Sequence, residues 1–277
     1  MNTKLHALYG LKYNPFTPDI PTEALHTHPK LENFFWRIEH TLIREGGFAL
    51  ISGEPGTGKS VALRLLATRL SCIRDVHVGS ITHPSAKLAD FYRELGDLFG
   101  IPLKFNNRWN AFKSLRERWL NHLESTLFRP VLLIDEAQEI PAVVLNELRL
   151  LSSMQFDSKV LLSVVLSGDQ RLNDKLRRDE LIPLGSRIRV RLSTEYASTE
   201  QLLEGLQNLL TNAGNPRLMT KELMKIICEH SAGNYRALCT MSGELLATAA
   251  QQERVQLDEK LYFECFSMPT PTKRKQS

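Results

Sequence analysis

Residues Phe48-Ala49-Leu50-Ile51-Ser52 run directly into Gly53-Glu54-Pro55-Gly56-Thr57-Gly58-Lys59-Ser60, and a helical pattern carrying Val61, Leu63, Leu65 and Leu66 follows. The octet fills G-x-x-x-x-G-K-[ST] in full, with a strand before it and a helix after it, which is the context that gives the motif meaning. Its glycines let the backbone wrap closely, so that successive N–H groups and the amino end of the helix face a β-phosphate. Lys59 then sets a positive charge against the β- and γ-phosphates, and Ser60 offers its hydroxyl to magnesium. The whole run Gly53–Val61 is the expected nucleotide-contacting segment. The competing reading is an ordinary glycine-rich turn.

Working outward, the next decisive stretch is Val131-Leu132-Leu133-Ile134-Asp135-Glu136, four apolar residues ending in two carboxylates. A buried strand of this kind delivers both acids to the carboxyl edge of an open α/β sheet, where ligands bind. Asp135 is expected in a magnesium shell, with Glu136 orienting and deprotonating the attacking water. Together with the phosphate loop, the pair points to hydrolysis of ATP with Mg2+ rather than nucleotide storage. A third strand end, Val164-Val165-Leu166-Ser167-Gly168-Asp169-Gln170, offers Asp169 or Gln170 as a sensor of the γ-phosphate; the alternative is a polar turn that caps the next helix.

Further along, Pro183-Leu184-Gly185-Ser186-Arg187-Ile188-Arg189-Val190-Arg191-Leu192 alternates charge with apolar residues. A strand here buries Ile188, Val190 and Leu192 and exposes three arginines on one face. One of them can reach the γ-phosphate of a neighbouring subunit as an arginine finger, with Arg187 the first choice and Arg177, Arg178 and Arg189 the others. The alternative is a solvated or DNA-facing strand. Gly233-Asn234-Tyr235-Arg236 opens a later helix, from which Arg236 can fold back over the nucleotide or else stand as a surface arginine.

Between these landmarks the pattern alternates strand and helix. Helices are expected over Pro29–Arg44, Lys59–Leu70, Ala86–Phe99, Ala111–Phe128 and Ala142–Met154, and strands near Val76–Ile81, Val160–Leu166 and Ile188–Leu192. Tyr9–Phe16 is too rich in turn residues for a helix. After Ser193–Ser198 everything is helical: Thr199–Thr211, Thr220–His230, Tyr235–Gln251 and Asp258–Phe266. Lys104–Arg108 with Trp109 is either a connection between helices or a loop facing DNA or a partner. The division is an N-terminal segment 1–45, an α/β core 46–195, a helical lid 196–266 and a basic, disordered tail 267–277 containing Lys273-Arg274-Lys275.

Bulk properties narrow the classes. The chain has 277 residues, 42% hydrophobic and 24% charged, as a globular protein of one large and one small domain should. No apolar run approaches the roughly 20 residues of a membrane span, and Met1–Gly10 has no export signal, so a cytoplasmic protein without membrane partners is expected. The four cysteines form no C-x-x-C pair and read as reduced, mostly buried thiols. His26 and His28 make a weak metal candidate. A formal charge of +4 permits nucleic-acid binding without demonstrating it.

Taken together these motifs resemble the AAA+ superfamily, in particular the ORC/DEAH-like ATPases that include ExeA-type secretion ATPases and the ATP-binding subunits of TniB-like and Mu B-like transposons. Tyr9-Gly10-Leu11, Asn14-Pro15-Phe16, Gly47-Phe48, Gly53–Ser60, Asp135-Glu136-Ala137-Gln138, Pro183-Leu184, Ser186-Arg187-Ile188 and Gly233–Arg236 carry the resemblance, which covers most of the chain. It implies a P-loop NTPase fold, with a parallel sheet of about five strands in the order 5-1-4-3-2 flanked by helices and followed by a small all-α lid. It also implies nucleotide-driven homo-oligomers and an approach of Leu11–Phe16 to adenine. ExeA-type proteins usually continue into a membrane helix and a peptidoglycan-binding domain, and this sequence stops after its lid. The expectation is therefore an ATP hydrolase that assembles on double-stranded DNA and regulates transposition through a transposase, with a secretion ATPase acting on a protein partner as the alternative.

Overall fold

A computed structural model describes residues 2–25, 27–82, 87–102, 107–156 and 158–266. The expected basic tail, Lys104 and His26 lie outside the described residues.

The five strands β1 (Gly47–Gly53), β2 (Val78–Ile81), β3 (Val131–Ile134), β4 (Ser163–Gly168) and β5 (Ile188–Thr194) form one sheet in the order β2-β3-β4-β1-β5, all neighbours parallel. This is the 5-1-4-3-2 order implied above. Strands β3 and β4 are buried along their whole length, the pattern of central strands covered on both faces. The alternating exposure of β5 suits an edge strand with one face in solvent. Val190 and Leu192 are buried and Arg189 and Arg191 exposed, as the period of two requires.

The helices around the sheet follow from the apolar spacing. After α1 (Asn2–Tyr9), α2 (Pro29–Arg37) starts on a Pro in its first turn, capped by the His28 side chain. The helix expected to run unbroken to Arg44 is interrupted by a π turn at Ile38–Leu42, where the Thr41 hydroxyl donates back to the Arg37 carbonyl. Next come α3 (Lys59–Ser71), α4 (Leu88–Phe99), α5 (Arg108–Thr126), α6 (Ala142–Ser152), α7 (Gln170–Leu176) and α8 (Ile182–Gly185). Phe91, Leu95, Phe99, Leu115, Trp119, Leu145 and Leu148 pack with Phe48, Leu50, Leu132, Ile134, Val164 and Leu166 into one core.

The expected strand Val160–Leu166 is displaced. Lys159–Val160 pairs antiparallel with Ser153–Met154 in a two-stranded ribbon, and the sheet strand begins at Ser163. The reversal begins with Gln155 and Phe156, both left-handed at φ 52 and 56, and the Ser158 N–H closes it on the Gln155 carbonyl (3.1 Å). It is fixed by Leu161 N–H donating to the Ser152 carbonyl (2.7 Å) and by Arg129 Nε donating to the Val160 carbonyl (2.8 Å). Apolar residues alone do not distinguish such a ribbon from the strand it precedes.

By packing, the described residues separate into one unit within 27–195 and a second made of residues 2–25 with 196–266. The segment expected as one piece, 1–45, is divided between them: Leu31, Phe34 and Phe35 are buried in α2 of the sheet unit, whereas Leu5, Tyr9, Leu11 and Phe16 join the helical core. That second core is built by α9 (Thr199–Ala213), α10 (Lys221–His230), α11 (Tyr235–Gln251) and α12 (Glu259–Phe266). A capping box at Ser198 and Gln201 starts α9, and Thr220 and Asn234 cap α10 and α11. Of the thiols, Cys228 is buried and Cys239 and Cys265 half-buried, but Cys72 is exposed at the end of α3, so the expectation of packed cysteines does not extend to it.

Candidate functional site

Parallel strands place every strand-to-helix turn of the sheet at one edge, and three such turns converge there. The turn after β1 is Glu54–Gly58. At its centre is the Glu54 carbonyl, which accepts from the Thr57 hydroxyl (2.7 Å) and Lys59 Nζ (2.9 Å). Lys59 and Thr57 are buried. Gly58, at φ 94, precedes α3, and no side chain caps that helix. The first-turn N–H groups are therefore open to an anion, and Ser60 sits exposed among them. A Cβ on Gly53 would lie 2.0 Å from Thr194 Oγ1 and 2.2 Å from the Thr194 carbonyl, so the loop can approach the end of β5 only through glycine. Thr57 and Thr194 share a hydrogen bond of 2.7 Å, which ties the loop to the edge strand.

The turn after β3 carries the carboxylates. The Asp135 N–H donates to the Ile81 carbonyl (3.0 Å), and its Oδ1 accepts from the Ser167 hydroxyl (2.8 Å) and the Glu136 N–H (3.0 Å). Glu136 is exposed and left-handed, at φ 50 and ψ 39, a conformation that costs a non-glycine residue on the order of 1 kcal/mol and clusters at functional turns. Its Oε2 accepts from Gln138 Nε2. Gln138 is buried, and its Oε1 accepts from the Asp169 N–H (3.3 Å), so one side chain joins the turns after β3 and β4.

In the turn after β4, Asp169 caps α7 through the Arg171 N–H (2.9 Å) and pairs with the Arg171 guanidinium at 2.8 Å. Arg171 also pairs with Glu139 at 2.9 Å. Burial raises the Asp169 pKa, but the hydrogen bonds and charge of Arg171, with the charge of Lys59, outweigh it and hold the carboxyl below its ordinary range. Asp169 thus stands within the electrostatic reach of the phosphate loop while its oxygens serve a helix cap and an ion pair. Gln170 accepts from Asn173 (3.2 Å). Arg187 is half-buried ahead of β5, with a guanidinium nitrogen donating to the Pro183 carbonyl. Arg177 pairs with Asp174 at 3.8 Å and Arg189 with Glu45 at 2.8 Å. Arg236 lies in the helical unit, in the first turn of α11, where its N–H donates to Asn234 Oδ1 (2.9 Å). Leu11 and Phe16 are buried in that same unit.

Three contributors carried no assigned role in the sequence: Ser167, Thr194 and Gln138. A serine ending an otherwise apolar run was the available signal for Ser167. Thr194 had none, because only strand order brings it beside the loop.

The donor set fits a nucleoside triphosphate with a hard divalent cation: an uncapped helix end, one buried ammonium, a free hydroxyl and a carboxylate held in place by two hydrogen bonds. The sheet order and this edge are those of the P-loop NTPase fold of the AAA+ type. Residues 43–176 match the family model described as AAA domain. General secretion pathway protein A of Aeromonas hydrophila is 32% identical over 186 residues, 66% of this chain and 33% of the relative; the match thus spans a third of that protein's length. Among solved structures, Cdc6p from Pyrobaculum aerophilum superposes with a TM-score of 0.69 at 17% identity, covering 88% of this chain and 67% of that one. The Aeropyrum pernix ORC1 protein in complex with DNA gives 0.68 at 17%, covering 91% and 67%. The Thermotoga maritima RuvB Holliday junction branch migration motor gives 0.61 at 15%, covering 91% and 72%. At such identities the likeness is one of fold. Among the described residues no helix is long and apolar enough to cross a membrane.

Proposed function

We propose that the chain is a magnesium-dependent ATP hydrolase of the cytoplasm, whose homo-oligomers assemble on double-stranded DNA and regulate transposition by recruiting or activating a transposase. The hydrolytic part is carried by one observation: Lys59 and Ser60 at an uncapped helix end share a sheet edge with Asp135, Glu136 and Asp169. Lys59 Nζ exchanges the Glu54 carbonyl for β- and γ-phosphate oxygens. Ser60 and Asp135 hold the cation, which supplies charge neutralisation in phosphoryl transfer. Glu136 leaves Gln138 to orient and deprotonate water. Asp169 or Gln170 reads the γ-phosphate, Arg187 completes the site of an adjoining copy, and Arg236 reports lid position.

The DNA part is supported by the basic composition, by the fold shared with a DNA-complexed ORC1 protein, and by the sequence resemblance to transposon ATPases. A second reading, a secretion or envelope-assembly ATPase acting on a protein, is favoured by the 32% identity to general secretion pathway protein A.

The test is ATPase rate and particle size by electron microscopy, with and without duplex DNA, for wild type and Glu136→Gln. DNA-stimulated hydrolysis, with ATP-dependent assemblies that the variant traps on DNA, supports the first reading. Hydrolysis and assembly indifferent to DNA at low salt reject it, because phosphate contacts are strongest there. That result favours the second.

A further inference from the structure

The sheet unit carries a second groove built from α5, α6 and the ribbon turn, with a volume of about 860 Å3. The sequence signal at Arg108 and Trp109 belongs to it. Trp109 stacks on Phe112 with ring centroids 5.7 Å apart and planes 7° from parallel, and the tryptophan is 72% exposed. Phe156 is fully exposed on the left-handed turn of the ribbon. Two consecutive left-handed residues without glycine cost free energy that no burial of this ring offsets.

The charge of the groove is as specific as its rings. Its acid, Glu147, is 3% exposed and already accepts from the Tyr92 hydroxyl and from Arg108. Arg116 lies over the Phe112 ring at 5.0 Å and donates to the Ser153 carbonyl (2.7 Å). Arg149 Nε is buried with no hydrogen-bond partner among the described residues. Neither Arg116 nor Arg149 makes an ion pair among those residues. The groove therefore offers flat aromatic faces and two guanidiniums that no carboxylate among the described residues neutralises.

We infer that this groove binds single-stranded nucleic acid, its bases stacking on Trp109 and Phe156 and its phosphates meeting Arg116 and Arg149. Flat rings and guanidinium groups suit base faces and phosphodiesters, which every nucleotide offers. In a duplex the base faces are stacked on one another and are not offered to a protein's rings. The inference goes beyond the duplex reading above, since it adds a separate site for an unpaired strand.

The experiment uses the full chain and a fluorescent oligo(dT) strand of about a dozen nucleotides, read by anisotropy and by tryptophan emission. The expected result is salt-sensitive binding that quenches tryptophan emission, where a duplex of equal length leaves the emission unchanged. Trp109→Ala and Phe156→Ala should each weaken it about ten-fold, and Trp109→Phe should restore most of the affinity. Both side chains are exposed, so the melting temperature and the basal ATPase rate should stay at wild-type values. Oligo(dT) affinity within two-fold of wild type in both alanine variants overturns the inference. So does polyglutamate binding as tightly as oligo(dT) with the same dependence on Trp109, which would assign the groove to an acidic protein segment. If duplex DNA stimulates hydrolysis but the aromatic variants bind oligo(dT) normally, the groove assignment fails and the DNA reading stands. If oligo(dT) binds through Trp109 while no DNA form changes hydrolysis, the groove stands and the coupling of ATP to DNA fails.

Discussion

Replacing Ser167 by alanine removes one hydroxyl from the interior of the sheet and leaves nothing else changed. Ser167 is fully buried, and its hydroxyl donates to Asp135 Oδ1 at 2.8 Å; the same oxygen keeps the Glu136 N–H at 3.0 Å. A hydrogen bond to a charged acceptor contributes about 1.5–3 kcal/mol, and Asp135 is half-buried, so solvent offsets part of it. With about 1–2 kcal/mol less holding the carboxylate, the turnover rate should fall about five- to thirty-fold. The loss should appear in kcat and in the magnesium concentration needed for half-maximal rate, because the triphosphate contacts proposed for Lys59 and the loop amides are untouched. The assay is steady-state phosphate release over a magnesium titration, with the thermal midpoint as a folding control and Ser167→Thr as the variant that retains the hydroxyl. A kcat within two-fold of wild type for Ser167→Ala, at every magnesium concentration, would refute the positioning role.

Arg187→Ala should lower ATPase activity about a thousand-fold at protein concentrations that favour assembly, with little change in dilute samples; equal rates at all concentrations dismiss a finger acting in trans. Glu147→Ala strands the Tyr92 hydroxyl, which is bound to a buried carboxylate in a 3% exposed site, and should cost about 2–3 kcal/mol. In calorimetry that is a fall of about 5–10 °C, and Glu147→Gln, which keeps an acceptor, should lose less than half as much. His122 has its pKa lowered, first by burial and then by the charges of His77 and Arg118. A base with a depressed folded pKa leaves the unfolded chain binding more protons, so stability is complete above the ordinary value of 6.5 and declines as pH falls through it. Melting temperature should therefore drop more between neutral pH and about pH 5 for wild type than for His122→Gln; parallel curves would contradict this.

Continuous apolar runs made much of this legible in advance. Val131–Ile134 is read correctly because a strand buried on both faces needs no alternation, and the phosphate loop announces itself by composition. The ribbon at Ser153–Val160 escaped because Lys159–Val160 continues directly into the apolar residues Leu161–Leu166, so the pattern does not separate it from the sheet strand it precedes. Helix α1 escaped for a related reason: Leu5 and Tyr9 are held by helices nearly two hundred residues away in sequence. At the site, the side chains proposed to meet a phosphate or cation stand in motifs. Of those that hold other side chains, Gln138 and Ser167 stand in stretches the pattern marks, but their partners, and Thr194 altogether, are set by strand adjacency, which no local pattern encodes.

Gly53 and Gly58 are two letters of one motif, yet evolution would meet different walls at each. At Gly58 a Cβ has open space, and only the φ of 94 resists it, so a residue tolerant of left-handed backbone is a conceivable step. At Gly53 a Cβ collides with the Thr194 carbonyl as well as its hydroxyl, and no replacement of the Thr194 side chain relieves a backbone atom. Position 53 is thus closed to single-step drift by the edge strand, independently of any ligand the loop holds. A lineage that lost nucleotide binding altogether would still be expected to keep this glycine for as long as it kept β5 in place.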